Sequence, residues 1–541
     1  MIFKEKKYIL FLVVIVLLAF FLRFYKLGQN PPSLTWDEAA WGYNAYSLGI
    51  DGRDEFGRFL PLNYLESFGD FKPPVYAYLD IVPIKLFGLN EFAVRFPSAF
   101  FGVLTVLIAY FLTKRIFWNS KSKDEYALFS SLFLAISPWH IMLSRGAFEA
   151  NVATFFLVGG IWLFVAAMQE RKWYIVISSI FFTLSIYTFN TARIVAPILV
   201  LLLAILFRRR LMENKKETLV AIIVGILLLL PTLGFLFSSQ ASLRFKEVNI
   251  FSDIDIVKRV NQEIENDKNV SWPIIHNRRI AYAVEYLRHY FDNLSPSFLF
   301  IKGDGNPKFS TQDIGQLYLW DLPLIVIGAL FLFKRKEGFW WIIPIWLLIG
   351  IIPAATARET PHALRIETTL PTFQIMTAYG LVLLINYINK YKRLIIGCLW
   401  ILLFLNIVYF LHGYIGHYPR EFSGEWQYGY KQSIEYVESV QDNYDQIRIT
   451  AAMGRPYIYY AFYTKTDPKL LRKSVVVKRD PFGFVTITGF LKYRFDDNLS
   501  SIKSTTKVLY IDSPSRVHPK GDILKRFYLL NGEEILTAYR L

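Results

Sequence analysis

Cysteine is all but missing from this chain. Cys398 is the only one, so no internal disulfide can form. Charge is sparse as well, with Asp, Glu, Lys and Arg making up 19% of the residues. The first apolar segment follows Lys4, Lys6 and Lys7, yet no small-residue cleavage site comes after it. Phe21-Leu22-Arg23-Phe24-Tyr25 is bulky, which predicts an uncleaved first membrane span. The sequence has no phosphate loop, no zinc-type His/Cys spacing and no Gly-x-Ser-x-Gly turn. It also lacks internal repeats and low-complexity linkers. These absences exclude a disulfide-stapled scaffold and the enzyme classes that carry those motifs.

What the chain has in abundance is apolar and aromatic side chain, 54% and 17% of its 541 residues. Runs such as Ile9–Phe21, Leu219–Leu230 and Ile395–Phe410 approach bilayer length. The pattern predicts an integral membrane protein with about eleven spans, near 8–24, 96–113, 126–143, 150–168, 173–190, 194–207, 218–237, 318–333, 339–356, 367–388 and 393–411. The net charge of +16 resides largely in short loops between these runs. That is a signature of membrane orientation and not of nucleic-acid binding. The basic clusters are Lys4/Lys6/Lys7, Lys114/Arg115/Lys121/Lys123, Arg171/Lys172, Arg208–Arg210 with Lys215/Lys216, Lys334–Lys336, and Lys390/Lys392/Arg393. One assignment puts all six on the cytoplasmic side, with a cytoplasmic N-terminus and an external C-terminus.

Two external loops are then long, 25–95 and 238–317. The first predicts a surface helix over Asp37–Leu48 and a headgroup-layer helix over Pro74–Phe87. From residue 412 the character changes. Strand-like runs at Ile447–Ala451, Ser474–Val477, Lys507–Ile511 and Ile535–Tyr539, with a helical stretch Lys431–Val440, predict a small α/β domain. The expected organisation is a membrane domain over 1–411 and an extracytoplasmic α/β domain over 412–541.

This topology gathers ionisable residues on the external side: Asp37, Glu38, Lys72, Arg95, His140, Arg145, Glu149, His362 and Arg365. Such groups beside a membrane point to a site. Guanidinium and ammonium groups suit a phosphate anion, and a carboxylate suits deprotonation of a hydroxyl. Together they fit group transfer from a phosphorylated donor to a hydroxyl acceptor. Each also has a plainer reading. Asp37 and Glu38 suit the first turn of the helix that follows. Arg95 suits an interface anchor, Lys72 a solvated loop lysine, and Arg145 with Glu149 an i,i+4 pair. His140 and His362 suit structural roles. A divalent cation, Mg or Mn, on Asp37 and Glu38 is left open, and the sequence demands no cofactor.

The order Gly28-x-x-Pro31-Pro32, Asp37-Glu38, Lys72-Pro73-Pro74, Phe87-Gly88 and Arg95-Phe96-Pro97-Ser98 resembles the protein O-mannosyltransferase and aminoarabinose-transferase relatives. These are family 39 glycosyltransferases of the GT-C fold. Ser137-Pro138-Trp139-His140, Ser144-Arg145 and His362-Ala363-Leu364-Arg365 continue the likeness. The resemblance implies a polytopic GT-C-like fold and a sugar donor on a polyprenyl phosphate. It implies inverting transfer, on the external face, of a mannose-like hexose to a glycan, lipid or protein hydroxyl. It makes Asp37 the general base, with Glu38 and Glu149 as accompanying acids. Lys72, Arg95 and Arg365 would meet the donor phosphate, and His140, Arg145 and His362 would contact donor or acceptor. Two features depart from the relatives. Phe71 stands where aminoarabinose transferases carry an acid before the lysine. The 238–317 loop is too short for the inserted domain of eukaryotic O-mannosyltransferases. Two other classes fit part of the pattern: a transporter or flippase for a lipid-linked glycan, and a non-catalytic membrane scaffold.

Overall fold

The computed structural model describes residues 2–238, 241, 249–267, 276–387, 392–479, 485–496 and 506–541. Lys390 and parts of the 238–317 loop lie outside the described residues. Every segment expected to span the membrane contains a helix. Among the described residues, six helices are long and apolar enough to cross a bilayer: Lys6–Phe24, Glu91–Ile116, Glu149–Gln169, Lys215–Leu236, Glu367–Tyr387 and Ile396–Glu421. A bent pair, Lys123–Ile136 and Pro138–Arg145, turned by 55° at Ser137-Pro138, is together long and apolar enough to make a seventh. Proline at that point has no N–H to give and breaks the helical ladder. The remaining expected spans are shorter helices, Tyr174–Ile186, Ala192–Leu206, Asp321–Arg335 and Ile342–Ile351.

The chain divides into two compact units. One contains residues 1–23, 100–144 and 149–408, and so most of the helical bundle. The other joins residues 24–99 and 145–148 to the tail from Tyr409 to Leu541. The expected boundary at residue 411 therefore differs from the compact units, because the first long loop packs with the tail.

Within the second unit, the helices Trp36–Asp51 and Val75–Phe87 form at the expected positions, but Trp36–Asp51 is not the expected surface helix: most of it, from Glu38 to Leu48, is buried because the tail packs over it. Between them β1 (Leu65–Ser67) and β2 (Asp70–Lys72) make an antiparallel hairpin. The tail is a mixed seven-stranded sheet of β3 (Gln446–Thr450), β4 (Val476–Arg479), β5 (Val485–Phe490), β6 (Tyr493–Asp496), β7 (Val508–Asp512), β8 (Asp522–Tyr528) and β9 (Glu534–Arg540), in the order 4-5-6-3-7-9-8. Central β3 runs parallel to both neighbours. Ile447, Ile449, Leu509 and Ile511 are buried there, as expected for a strand covered on its faces.

The helix Pro456–Tyr463 carries the contact between tail and loop. Its Tyr459 hydroxyl donates to the Leu34 carbonyl (3.1 Å), and Tyr457 donates to Glu55 (3.1 Å). Phe462 lies over Gly42, where an added Cβ would come within 2.6 Å of the ring. Lys431 pairs with Glu91 at 2.8 Å, and the Tyr463 hydroxyl donates to the same carboxylate. These contacts make the tail a supporting surface for the loop that holds the first acids.

Candidate active site

Thr35 starts the site. Its extended backbone ends the preceding loop, and its hydroxyl accepts from the Glu38 N–H (3.2 Å). The Glu38 carboxylate returns to the Thr35 N–H (2.9 Å), closing a capping box. This fixes the first turn, so the adjacent acids Asp37 and Glu38 point to different surroundings.

Glu38 is buried. Its Oε1 accepts from Arg95 Nε (2.9 Å) and from the Ala147 N–H (2.9 Å). Its Oε2 accepts from Thr35 N–H and from Arg95 Nη2 (3.3 Å). Each oxygen thus has two donors, and no lone pair is left for a divalent cation in this geometry. Arg95 is equally occupied. Besides Glu38 it donates to the carbonyls of Leu27 (3.2 Å), Pro31 (2.8 Å) and Ser33. All five guanidinium N–H groups are taken, so the expected contact with donor phosphate finds no free donor here. The pair fastens the 27–38 segment and the 145–148 turn to the start of the helix Glu91–Ile116. Buried Arg145 adds a bond to the Asn30 carbonyl (2.8 Å) and lies over the Tyr414 ring.

Asp37 is different. Its side chain is 52% exposed and pairs with Lys72, which is nearly buried at the end of β2. The Lys72 ammonium also lies over the rings of Trp41 (5.2 Å) and Phe68 (5.4 Å). Those faces hold the cation close without neutralising it. A reachable carboxylate thus sits against a desolvated cation, the two groups that hydroxyl deprotonation and phosphate binding require.

Glu55, which sequence reasoning missed, lies in the same unit. It is buried and accepts from Asn44 (3.1 Å), Ser67 (2.9 Å) and Tyr457. Burial pushes its carboxyl up to about 7, against the lowering effect of these bonds. An acid within turn-forming Asp54-Glu55-Phe56-Gly57 gives no sequence signal of such burial.

The first unit holds His140, Glu149, His362 and Arg365. His140 is buried and its Nδ1 accepts from Arg23 (2.6 Å), which also donates to the carbonyls of Leu134 and Ala135. Arg23 was legible as a charge at the end of an apolar run but was read only as bulk. Glu149 begins its helix, close enough to the buried Glu367 for the two carboxyl charges to interact. The 302–312 turn meets the 357–366 loop through Asp304, which accepts from the Ala363 N–H (2.6 Å) and the Asn306 N–H (2.8 Å). Burial raises the Asp304 carboxyl to about 6 and lowers His362 to about 3. His362 is then neutral near pH 7, so its 3.9 Å approach to Asp304 is not an ion pair. Arg365 donates to the Glu359 carbonyl (3.1 Å).

This architecture is similar to that of solved structures. ArnT from Cupriavidus metallidurans in the apo state superposes with a TM-score of 0.55 at 12% identity, covering 99% of this chain and 98% of that one. The same protein bound to undecaprenyl phosphate gives 0.54 at 13%, with 97% of each chain covered. The likeness defines the fold: a polytopic GT-C-like membrane protein with a C-terminal domain. Residues 71–235 match the family model described as dolichyl-phosphate-mannose-protein mannosyltransferase. The resemblance read from the motifs therefore holds over that segment. An uncharacterized protein of Aquifex aeolicus (strain VF5) is 30% identical over 209 residues, 38% of either chain. The putative mannosyltransferase YkcB of Bacillus subtilis (strain 168) is 28% identical over 101 residues, 19% of this chain and 13% of that one. The matched segments span well under two thirds of those relatives.

Proposed function

We propose that this chain is an inverting glycosyltransferase that moves a hexose from a polyprenyl-phosphate donor to a hydroxyl acceptor at the external membrane face. The observation that carries the reading is the pair of a half-exposed Asp37 and a nearly buried Lys72. The matched family model, the relative named a mannosyltransferase and the fold shared with a protein solved with undecaprenyl phosphate support the same class.

In this reading the donor phosphate draws the Lys72 ammonium, which releases the Asp37 carboxylate. Asp37 accepts the proton of the acceptor hydroxyl. The acceptor oxygen bonds to the anomeric carbon as the bond from that carbon to the phosphate oxygen breaks. Polyprenyl phosphate leaves as an anion, so no second carboxyl is needed to protonate it. Lys72 neutralises the charge that develops on it. Glu38 and Arg95 act as positioning residues that hold Asp37 at the helix start.

The test is transfer of radiolabelled sugar from polyprenyl-phosphate-mannose and -glucose in proteoliposomes of the purified protein. Acceptor-dependent release of sugar supports the proposal. Saturable donor binding without turnover would favour the transporter or scaffold reading.

A further inference from the structure

The apolar helix Ile396–Glu421 does not keep one pitch. It is α-helical as far as His412 and then takes a π turn, Gly413–His417, in which the Tyr418 N–H donates to the Gly413 carbonyl. Such turns are rare and recur at functional sites. One face of this turn is occupied by the protein. Tyr414 and Tyr418 are buried, with ring centroids 5.2 Å apart. The Tyr414 carbonyl accepts from Asn30 Nδ2 (2.9 Å), and its ring lies under Arg145.

The other face carries His412, His417 and Glu421, all exposed. In a regular α-helix, residues five apart point about 140° away from each other. The π turn removes that divergence and brings the two Nε2 atoms to 3.1 Å, with the ring planes inclined at 73°. An ion bonded at about 2.0–2.1 Å to two imidazole nitrogens sets them about 2.9 Å apart at a right angle and about 3.3 Å apart at the tetrahedral angle. The observed separation falls between these limits. His417 Nδ1 faces the Glu421 carboxylate at 3.9 Å, on the side from which an acid orients a metal-bound imidazole. Leu411 ends the apolar run, so these groups stand where water and ions reach. The pair carried no zinc signature in the sequence, because no cysteine accompanies it and five is not a helical spacing.

We propose that His412 and His417 bind a divalent transition-metal ion, Zn²⁺ or Cu²⁺, through their Nε2 atoms. Imidazole suits these ions, whereas Mg²⁺ and Ca²⁺ take oxygen ligands. Among the described residues no group of three His, Cys, Asp or Glu surrounds a metal position, so water fills the remaining ligand positions here. The ion closes the π turn from its exposed side, as Asn30 and Arg145 hold it from the buried side. The site needs neither Asp37 nor Lys72.

The test uses full-length protein in detergent, purified without a histidine tag and freed of metal by a chelator. Zn²⁺ and Cu²⁺ are titrated by equilibrium dialysis. The expected result is saturable binding of one ion per chain, tighter for Cu²⁺ than for Zn²⁺ and unmoved by excess Mg²⁺. His412→Gln and His417→Gln should each weaken it by at least about 10-fold, the least that loss of even a supporting partner commonly costs. Glu421→Gln should weaken it less than either. His276→Gln, at a histidine that has Glu263 and Asp267 beside it, should leave it unchanged. Bound Cu²⁺ should show hyperfine coupling to two imidazole nitrogens in the wild type and to one in either variant. Without metal the thermal midpoints should match, and Zn²⁺ should raise that of the wild type alone. Unchanged affinity in both His412→Gln and His417→Gln, or its loss in His276→Gln, would overturn the proposal. So would the absence of saturable binding, which would leave the pair as an N–H···N hydrogen bond.

Discussion

Two acids adjacent in sequence differ completely in environment. Glu38 is the third helical residue after Thr35, so the capping box turns it inward onto Arg95, while Asp37 stays at the surface with Lys72. The sequence placed both acids in the first turn of the helix that follows. What the sequence did not disclose was the partner, because Arg95 lies 57 residues away. Removing one member of a buried ion pair strands the other, at a cost of about 3–5 kcal/mol. Glu38→Gln and Arg95→Gln should therefore lower the thermal midpoint in detergent sharply, whereas Asp37→Asn, at a half-exposed carboxylate, should lower it less. A wild-type midpoint for Glu38→Gln would contradict the positioning role. Glu55 gives a pH test. Its folded carboxyl is raised to about 7, from an ordinary value of 4.5, so the folded state binds the proton more tightly. Its contribution to stability is complete below about 4.5 and is lost as pH rises through 7. The difference is of the order of 3 kcal/mol as an upper figure. Glu55→Gln should flatten the fall in thermal midpoint between pH 5 and 8. An unchanged slope would count against this assignment.

At the scale of elements, periodicity and length served the helices well. Trp36–Asp51 and Val75–Phe87 lie where the first loop suggested, and β3, β4, β7 and β9 overlap the strand-like runs. The strands that went unread have physical reasons. β8 (Asp522–Tyr528) is an edge strand, largely exposed, and its Lys and Arg give it no apolar face. The β5–β6 hairpin turns at Leu491-Lys492 with Leu491 at φ 48°, where turn chemistry would favour Gly or Asn. Gly42 is another element-level constraint, since a Cβ there meets Phe462 at 2.6 Å and Val94 at 2.5 Å. Gly42→Val should overpack this contact and destabilise the protein by about 1–3 kcal/mol. Gly234→Ala, with nothing within 4 Å, should be tolerated. Paired thermal scans decide it, and equal midpoints for the two variants would contradict the proposed packing.

Over the whole molecule, hydropathy outlined the polytopic fold and the motifs pointed to its relatives, but neither revealed that the first loop and the tail form one compact unit. Composition changes at residue 412, whereas the contacts that join Tyr457, Tyr459 and Phe462 to the 34–55 segment are long-range. A chain ending at His412 should therefore lose the fold of residues 24–99, read as rapid proteolysis within that loop while the remaining spans persist. The central claim is that Asp37 is the base of a sugar transfer from a polyprenyl-phosphate donor. Its most direct test compares initial rates of labelled-sugar transfer in proteoliposomes for wild type and Asp37→Asn, at matched thermal midpoints. The account predicts a loss of about 100-fold or more, the range general-base removal commonly gives. Transfer by Asp37→Asn at the wild-type rate would contradict it.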